Sequence, residues 1–333
     1  FYTAVPFSII LLIVSWKFLP SRLSQIISER AVNADSRKYN GKSDIGGSIQ
    51  HIDVKGAITL SVALVSLLLA LSFAPFVNSL LTDFIISLVV GLVSLGLFIR
   101  IERHTSSPLV DMKVMSHRVI VLGNIALLIF GIVQYLIFQS VPILVRNPTS
   151  VGGFGLNALD VGVLQLPFAL VIIVVGSVAG IVAAKIGATK LLIPAAAILV
   201  VAFLFILLVH STPEALAINL IFFGIGSALF VTLDAVVILF IPKAVMGSSA
   251  AVMNTMRIIG GSIGPIISGA IMQIFLSKVM VGGSKEQSFP NATAFDTIFF
   301  LTFILSLALA AAVILVRNRA TRLPAAPTIN GET

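Results

Sequence analysis

Nine times along this chain an apolar run is long enough to cross a hydrocarbon layer, and that repetition leaves few folds open. A helix rises 1.5 Å per residue, so about twenty apolar residues bridge the roughly 30 Å core of a bilayer. The runs are residues 1–19, 56–75, 80–99, 119–143, 158–184, 191–210, 215–241, 247–277 and 295–316. Inside lipid the backbone must satisfy its own polar groups, and runs this continuously apolar do so as helices. The expected fold class is therefore an all-α integral membrane bundle. The chain is 58% hydrophobic and only 10% charged, whereas a soluble domain carries about 25% charged residues.

The same composition removes several kinds of chemistry. There is no cysteine, so disulfides, thiolate metal sites and cysteine nucleophiles are excluded, and the four histidines are scattered without ligand spacing. No His, Cys or carboxylate constellation is present to act on a bond, so neither an enzyme nor a cofactor or metal is expected. A net charge of +8 does not point to nucleic acid, because the basic residues fall between the apolar runs instead of on one face. They report topology. Counted by alternate loops, seventeen Lys and Arg stand on one side and three on the other (Arg146, Lys278 and Lys285), with Arg257 inside a run. Cytoplasmic loops carry the basic excess. The expectation is a multi-pass protein of the cell membrane with the polar linker 20–55 and the tail 318–333 in the cytoplasm. The chain opens on Phe1 within an apolar run, with neither an initiator methionine nor a signal peptide, and reads as a fragment.

Two charges sit where they are expensive. Asp234 lies seven residues before Ile241, where its run ends, or roughly 10 Å deep at 1.5 Å per residue. Arg257 lies ten residues after Gly247, where the next run begins, or roughly 15 Å deep. An acid and a base at comparable depth on antiparallel neighbours are expected to meet inside the membrane. A charge at a helix centre costs about 2.5–3.5 kcal/mol on insertion scales, so it faces a partner or a water-filled cavity. Two readings follow: a static ion pair that fixes the two helices, or a pair that opens to take up a proton. Asp83, Asp160, Glu214 and Asp296 fall at span ends near water and are expected to be solvated.

Polar groups within the runs supply further candidates. Asn124, Gly131, Gln134 and Phe138 recur at steps of seven, three and four, which places them on one helical stripe with Tyr135 beside it. Such a stripe suits a large amphipathic substrate, or it glues helices together through amide hydrogen bonds. Gln165 is open to the same two readings. Phe223, Ser227 and Phe230 share the face of Asp234; Asn254, Gly261, Gly264 and Ser268 share that of Arg257. Pro6, Pro167, Pro194 and Pro265 are expected to mark bends. Gly176 with Gly180, and Gly260 with Gly264, have the spacing that lets helices touch backbone to backbone, so close packing is expected at both. Asn291-Ala292-Thr293 has the form of a glycosylation acceptor.

Several landmarks, in order, resemble the major facilitator superfamily, and within it the fourteen-helix drug:proton antiporter branch. Phe1-Tyr2-Thr3-Ala4-Val5-Pro6 resembles the start of that family's sixth helix, and His51-Ile52-Asp53-Val54-Lys55-Gly56 the start of the first of its two extra helices. Ser107-Pro108-Leu109-Val110 resembles the approach to the ninth, and the stretch from Gly155 to Pro167 the start of the tenth. The stretch from Gly180 to Lys190 is similar to the superfamily's glycine and basic loop; its usual acid falls at Ala184, leaving Lys185, Gly187 and Lys190. Arg257-Ile258-Ile259-Gly260-Gly261-Ser262-Ile263-Gly264 matches the thirteenth-helix pattern.

The resemblance implies that five helices precede residue 1, with the antiporter motif of the fifth among them. It divides the chain into the last helix of an N-terminal bundle (1–19), a linker (20–55), two extra helices (56–100), a six-helix C-terminal bundle (117–317) and a tail (318–333). It implies proton-coupled efflux of amphipathic organic compounds, whose partners are the substrate, protons, the bilayer and the preceding helices of the same protein. A carrier of sugars, peptides, siderophores or metabolites shares this fold. A membrane fragment with a structural or interaction role is the reading of another class.

Overall fold

Side-chain caps mark the starts of three helices, at Asn157, Thr212 and Asn291. The structure, a computed structural model, describes residues 54–74, 79–105, 112–242, 245–281 and 285–321. These belong to one compact unit, Ile52–Thr333. The expectations for 1–19, most of the linker, residues 107–110 and the end of the tail lie outside the described residues.

The helices are α1 (Val54–Phe73), α2 (Leu81–His104), the single turn α3 (Met112–Met115), α4 (Arg118–Arg146), α5 (Ala158–Ile186), α6 (Ala188–Leu208), α7 (Pro213–Phe230), α8 (Thr232–Ile238), α9 (Met246–Ile274) and α10 (Ala292–Ala320). With α7 and α8 counted as one span, eight helices among the described residues are long and apolar enough to cross a membrane. All eight sit within a few residues of the runs expected there.

Asn157 begins α5 with a reciprocal capping box: its Oδ1 accepts from the Leu159 and Asp160 N–H groups at 2.7 and 3.1 Å, and Asp160 Oδ2 accepts from the Asn157 backbone N–H at 3.1 Å. Asp160 is thus a cap as well as a solvated charge, since the first N–H groups of a helix have no internal partner. Thr212 caps α7 ahead of Pro213, and Asn291 caps α10. Asp83, Asp160 and Glu214 stand in first turns, where the helix dipole favours an anion.

Helices α4, α6, α7, α9 and α10 enclose one apolar core, while α1 and α2 pack chiefly on each other. Phe138, Phe168, Phe203 and Phe223 form an aromatic cluster that joins α4, α5, α6 and α7. Large apolar side chains remain exposed along α5, among them Leu159, Val163, Leu170 and Ile173. Faces of this kind suit lipid or another helix.

One element differs from the expected outline. The run 247–277 ends as a helix at Ile274, and an antiparallel hairpin follows: β1 (Leu276–Val281) and β2 (Lys285–Pro290), with Leu276 opposite Pro290 and Val281 opposite Lys285. The β-branched residues Val279 and Val281 and the following Gly282-Gly283 carry the hairpin signal. The hairpin is an appendage of an otherwise helical fold. Asn147, at the end of α4, donates from Nδ2 to the Pro290 carbonyl at 2.8 Å and fastens it to the bundle. This end of the bundle is the hairpin end; the opposite end carries the α5–α6 junction.

Candidate functional site

The site is built on the seam between α4 and α9, which run side by side in the same direction and touch through glycine. A Cβ placed on Gly131 would collide with the Arg257 carbonyl, and one on Gly260 with the Leu128 carbonyl. A Cβ on Gly264 would lie 2.6 Å from the Ile132 carbonyl oxygen. The backbones therefore meet only because these positions lack side chains, as the Gly260–Gly264 spacing predicts. Toward the hairpin end the buried hydroxyls of Ser140 and Ser268 hydrogen-bond at 2.9 Å. The ring of Tyr135 lies over Gly261. Pro265 sits inside α9, which continues through it.

Arg257 is held by this seam through its own backbone. Its guanidinium Nη2 donates to Asp234 Oδ2 across the α8–α9 boundary. The side chains are 24% exposed for Asp234 and 31% for Arg257, so the pair is largely but not wholly withdrawn from its surroundings. Arg257 Nε is buried without a hydrogen-bond partner. The two charges placed at similar depth by counting residues do meet.

Asp234 does not lie within one continuous helix. The run 215–241 breaks at Val231 between α7 and α8, where the Thr232 hydroxyl donates to the Leu229 carbonyl at 2.7 Å and the Asp234 N–H bonds the Val231 carbonyl in a tighter turn. Neither Pro nor Gly stands at the break. The competing hydroxyl is its local cause, and nothing in the apolar pattern announces it. Asp234 consequently occupies the first turn of a seven-residue helix.

Beside α8 is an open groove of about 370 Å³, lined by Gly176, Ala179, Gly180 and Ala184 of α5, Ala188 of α6, and Val231, Thr232 and Ala235 around α8. Among the described residues, a Cβ on Gly176 or Gly180 would meet nothing within 4 Å. The close packing expected at this pair is not made among the described residues, where the small residues of α5 border the groove. At the junction itself Gly187 adopts φ 93° and ψ 132°, a conformation that disfavours any side chain. Lys185 and Lys190 flank it, both exposed.

The other candidates divide. Phe138 belongs to the aromatic cluster, 5.0 Å edge-on to Phe168. Tyr135 is exposed, and Asn124, Gln134 and Gln165 are half-buried. Asn124 reaches Met115 Sδ with its amide nitrogen at 3.9 Å, while its Oδ1 is buried without a partner. Ser227 is buried with an unpartnered hydroxyl. Phe230 is enclosed in the core, stacked on Phe130 at 4.2 Å, so it faces no open path in this conformation. Asn254 is exposed, whereas Gly261, Gly264 and Ser268, expected on its face, are buried against α4. The described residues hold no group of three or more His, Asp or Glu placed to bind a metal.

A bundle of eight helices among the described residues, each long and apolar enough to cross a membrane, defines a class, the multi-pass membrane proteins. The particular family follows from comparison. The Major Facilitator Superfamily profile matches residues 1–265 and 124–330, and the chain belongs to that family, whose members are transporters and not enzymes. It is 28% identical over 234 residues to the quinolone resistance protein NorB of Staphylococcus aureus strain MRSA252, covering 68% of this chain and 49% of that protein. To NorB of strain MW2 it is 27% identical over 236 residues, with the same coverage. The chain spans about half the length of the curated relatives it matches. The crystal structure of an auto-inhibited POT family peptide transporter aligns with a TM-score of 0.43 and 14% identity, covering 83% of this chain and 55% of that one.

Proposed function

We propose that this chain forms part of a proton-coupled exporter of amphipathic organic compounds, with residues 117–317 as its C-terminal six-helix bundle. The observation that carries the reading is the Asp234–Arg257 pair. A carboxyl in an apolar site lowers its cost by pairing with a cation or by taking up a proton, and the two compete. Arg257 is fixed to the α4–α9 seam, while Asp234 rides on a short helix beside an open groove. Movement of α8 would separate the pair and favour the proton. The likeness to quinolone resistance proteins supports efflux as the direction of transport.

The driving force is sufficient. One proton crossing 100 mV yields about 2.3 kcal/mol, and one pH unit adds about 1.4 kcal/mol. Together they sustain roughly a 500-fold gradient of a neutral compound. In this reading the α5–α6 junction end, with the basic excess, faces the cytoplasm. Asn124, Gln134, Tyr135, Phe138, Gln165 and Ser227 are the groups proposed to line or border the substrate path.

The test is a panel of compounds offered to the carrier in vesicles, with and without an imposed proton gradient. Export of lipophilic cations and other amphiphiles only when the gradient is present is the expected result. Gradient-driven movement confined to sugars, peptides, siderophores or small metabolites would replace the cargo and keep the mechanism.

A further inference from the structure

At the hairpin end, beyond the last residue of α6, the ring of His210 has oxygen acceptors at both nitrogens. Nδ1 lies 2.8 Å from the Ile206 carbonyl and Nε2 lies 3.0 Å from Asp296 Oδ1, in the second turn of α10. Neither acceptor can donate: a carbonyl and an ionised carboxylate offer lone pairs only. A neutral imidazole carries one N–H, so it would set a lone pair against one of these oxygens. Both contacts are made together only when the ring holds two protons. The surroundings suit that cation. It stands at the C-terminus of α6, where the last carbonyls lack helical partners and positive charge is favoured. The Val209 carbonyl is taken by Asn219 Nδ2 at 2.6 Å, which leaves the Ile206 carbonyl to the histidine. The ring also packs against Phe299, centroids 4.8 Å apart, so its place between α6 and α10 is defined by packing as well as by charge.

We propose that His210 and Asp296 form a proton-binding site at the hairpin end, in which protonation of the imidazole ties the end of α6 to the start of α10. The site is separate from the Asp234–Arg257 pair and stands whether or not that pair couples transport. Glu214 is exposed in the first turn of α7, Asp160 caps α5, Asp234 is paired with Arg257, and Lys190, Lys185, Arg317 and Arg319 stand at the opposite end. Histidine ordinarily changes charge between about pH 5 and pH 8. The tie is therefore present on the acid side and lost as pH rises, when one of the two contacts must open. His210 is 19% exposed and Asp296 59%, so solvent screens the pair and the effect is modest.

Residues 1–333 hold no cysteine, so on a cysteine-free background of the full protein a single nitroxide can be placed at Ser211 through Ser211→Cys, with a second preparation labelled at Ser150 as a control. The spectrum of the Ser211 label should show an ordered population whose ratio to the mobile one rises about two- to fivefold between about pH 8 and about pH 5, the range that partly exposed ion pairs support. The Ser150 label should not respond. In Asp296→Asn and in His210→Gln the Ser211 response should vanish, and His210→Lys, a permanent cation, should hold the ordered population at both pH values. A response that survives unchanged in Asp296→Asn, or a wild-type spectrum that ignores pH, overturns the proposal.

Discussion

Gly260–Gly264 and Gly176–Gly180 carry the same four-residue spacing in equally apolar helices, yet one pair is pressed against a neighbouring backbone and the other opens on a groove. The first pair sits opposite Gly131, so α4 and α9 are locked at a distance that no side chain permits. The second faces small residues across a gap, so α5 and α8 do not close on each other. Spacing fixes which residues share a face; the partner across the interface decides whether the absent side chains bring helices together or keep them apart. The candidate site straddles this difference, with Arg257 on the locked seam and Asp234 on the side that has room. In the proposed mechanism, movement of α8 is what opens a pair divided in this way.

The largest effect is expected at the seam. Gly260→Leu or Gly264→Leu drives a side chain into backbone carbonyls that cannot turn away, and should cost about 3 kcal/mol or more, read as loss of folded protein in size-exclusion and thermal unfolding of the detergent-solubilised carrier. Tolerance of both substitutions would dissolve the contrast between the two glycine pairs.

Next in size is the divided pair itself. Asp234→Ala leaves Arg257 without its acceptor and should destabilise by about 1.5–3 kcal/mol, the worth of a hydrogen bond between charged groups. Adding Arg257→Leu should recover part of that loss, because removing one member of a withdrawn pair is worse than removing both. Purely additive losses in the double variant would mean that the charges are effectively solvated. Gly187→Ala forces a side chain into the conformation at φ 93° and should cost about 1–2 kcal/mol, visible as a lower unfolding temperature.

The smallest effect is expected on the groove side. Gly176→Ala and Gly180→Ala should be neutral or stabilising by up to about 1 kcal/mol, since alanine favours helix and meets no neighbour. A destabilisation equal to that at the seam would show that α5 packs tightly there after all.

Much of this arrangement was legible in the residues alone. Unbroken apolar length gave the eight described spans because the bilayer imposes it, and counting rise per residue brought Asp234 and Arg257 to one level because helices in a membrane are nearly parallel rods. The break at Val231 was not legible: it depends on one threonine hydroxyl competing for a carbonyl, within a stretch whose hydrophobicity never falters. Periodicity places Phe230 on the acid's face but does not report the ring of Phe130 stacked on it. The start of the hairpin after α9 was hidden for a related reason, since Phe275 and Leu276 extend the apolar run past Ile274.

The most direct test of a divided, proton-exchanging pair is gradient-driven export in vesicles by Asp234→Asn, measured alongside protein amount. An amide of nearly the same shape keeps position 234 neutral throughout the cycle, with Arg257 still charged beside it. The variant should bind substrate and exchange it downhill, yet fail to concentrate it against a gradient when a proton gradient is imposed. Uphill export with the wild-type coupling ratio and pH profile would contradict the account, leaving Asp234 and Arg257 as a contact that only fixes two helices.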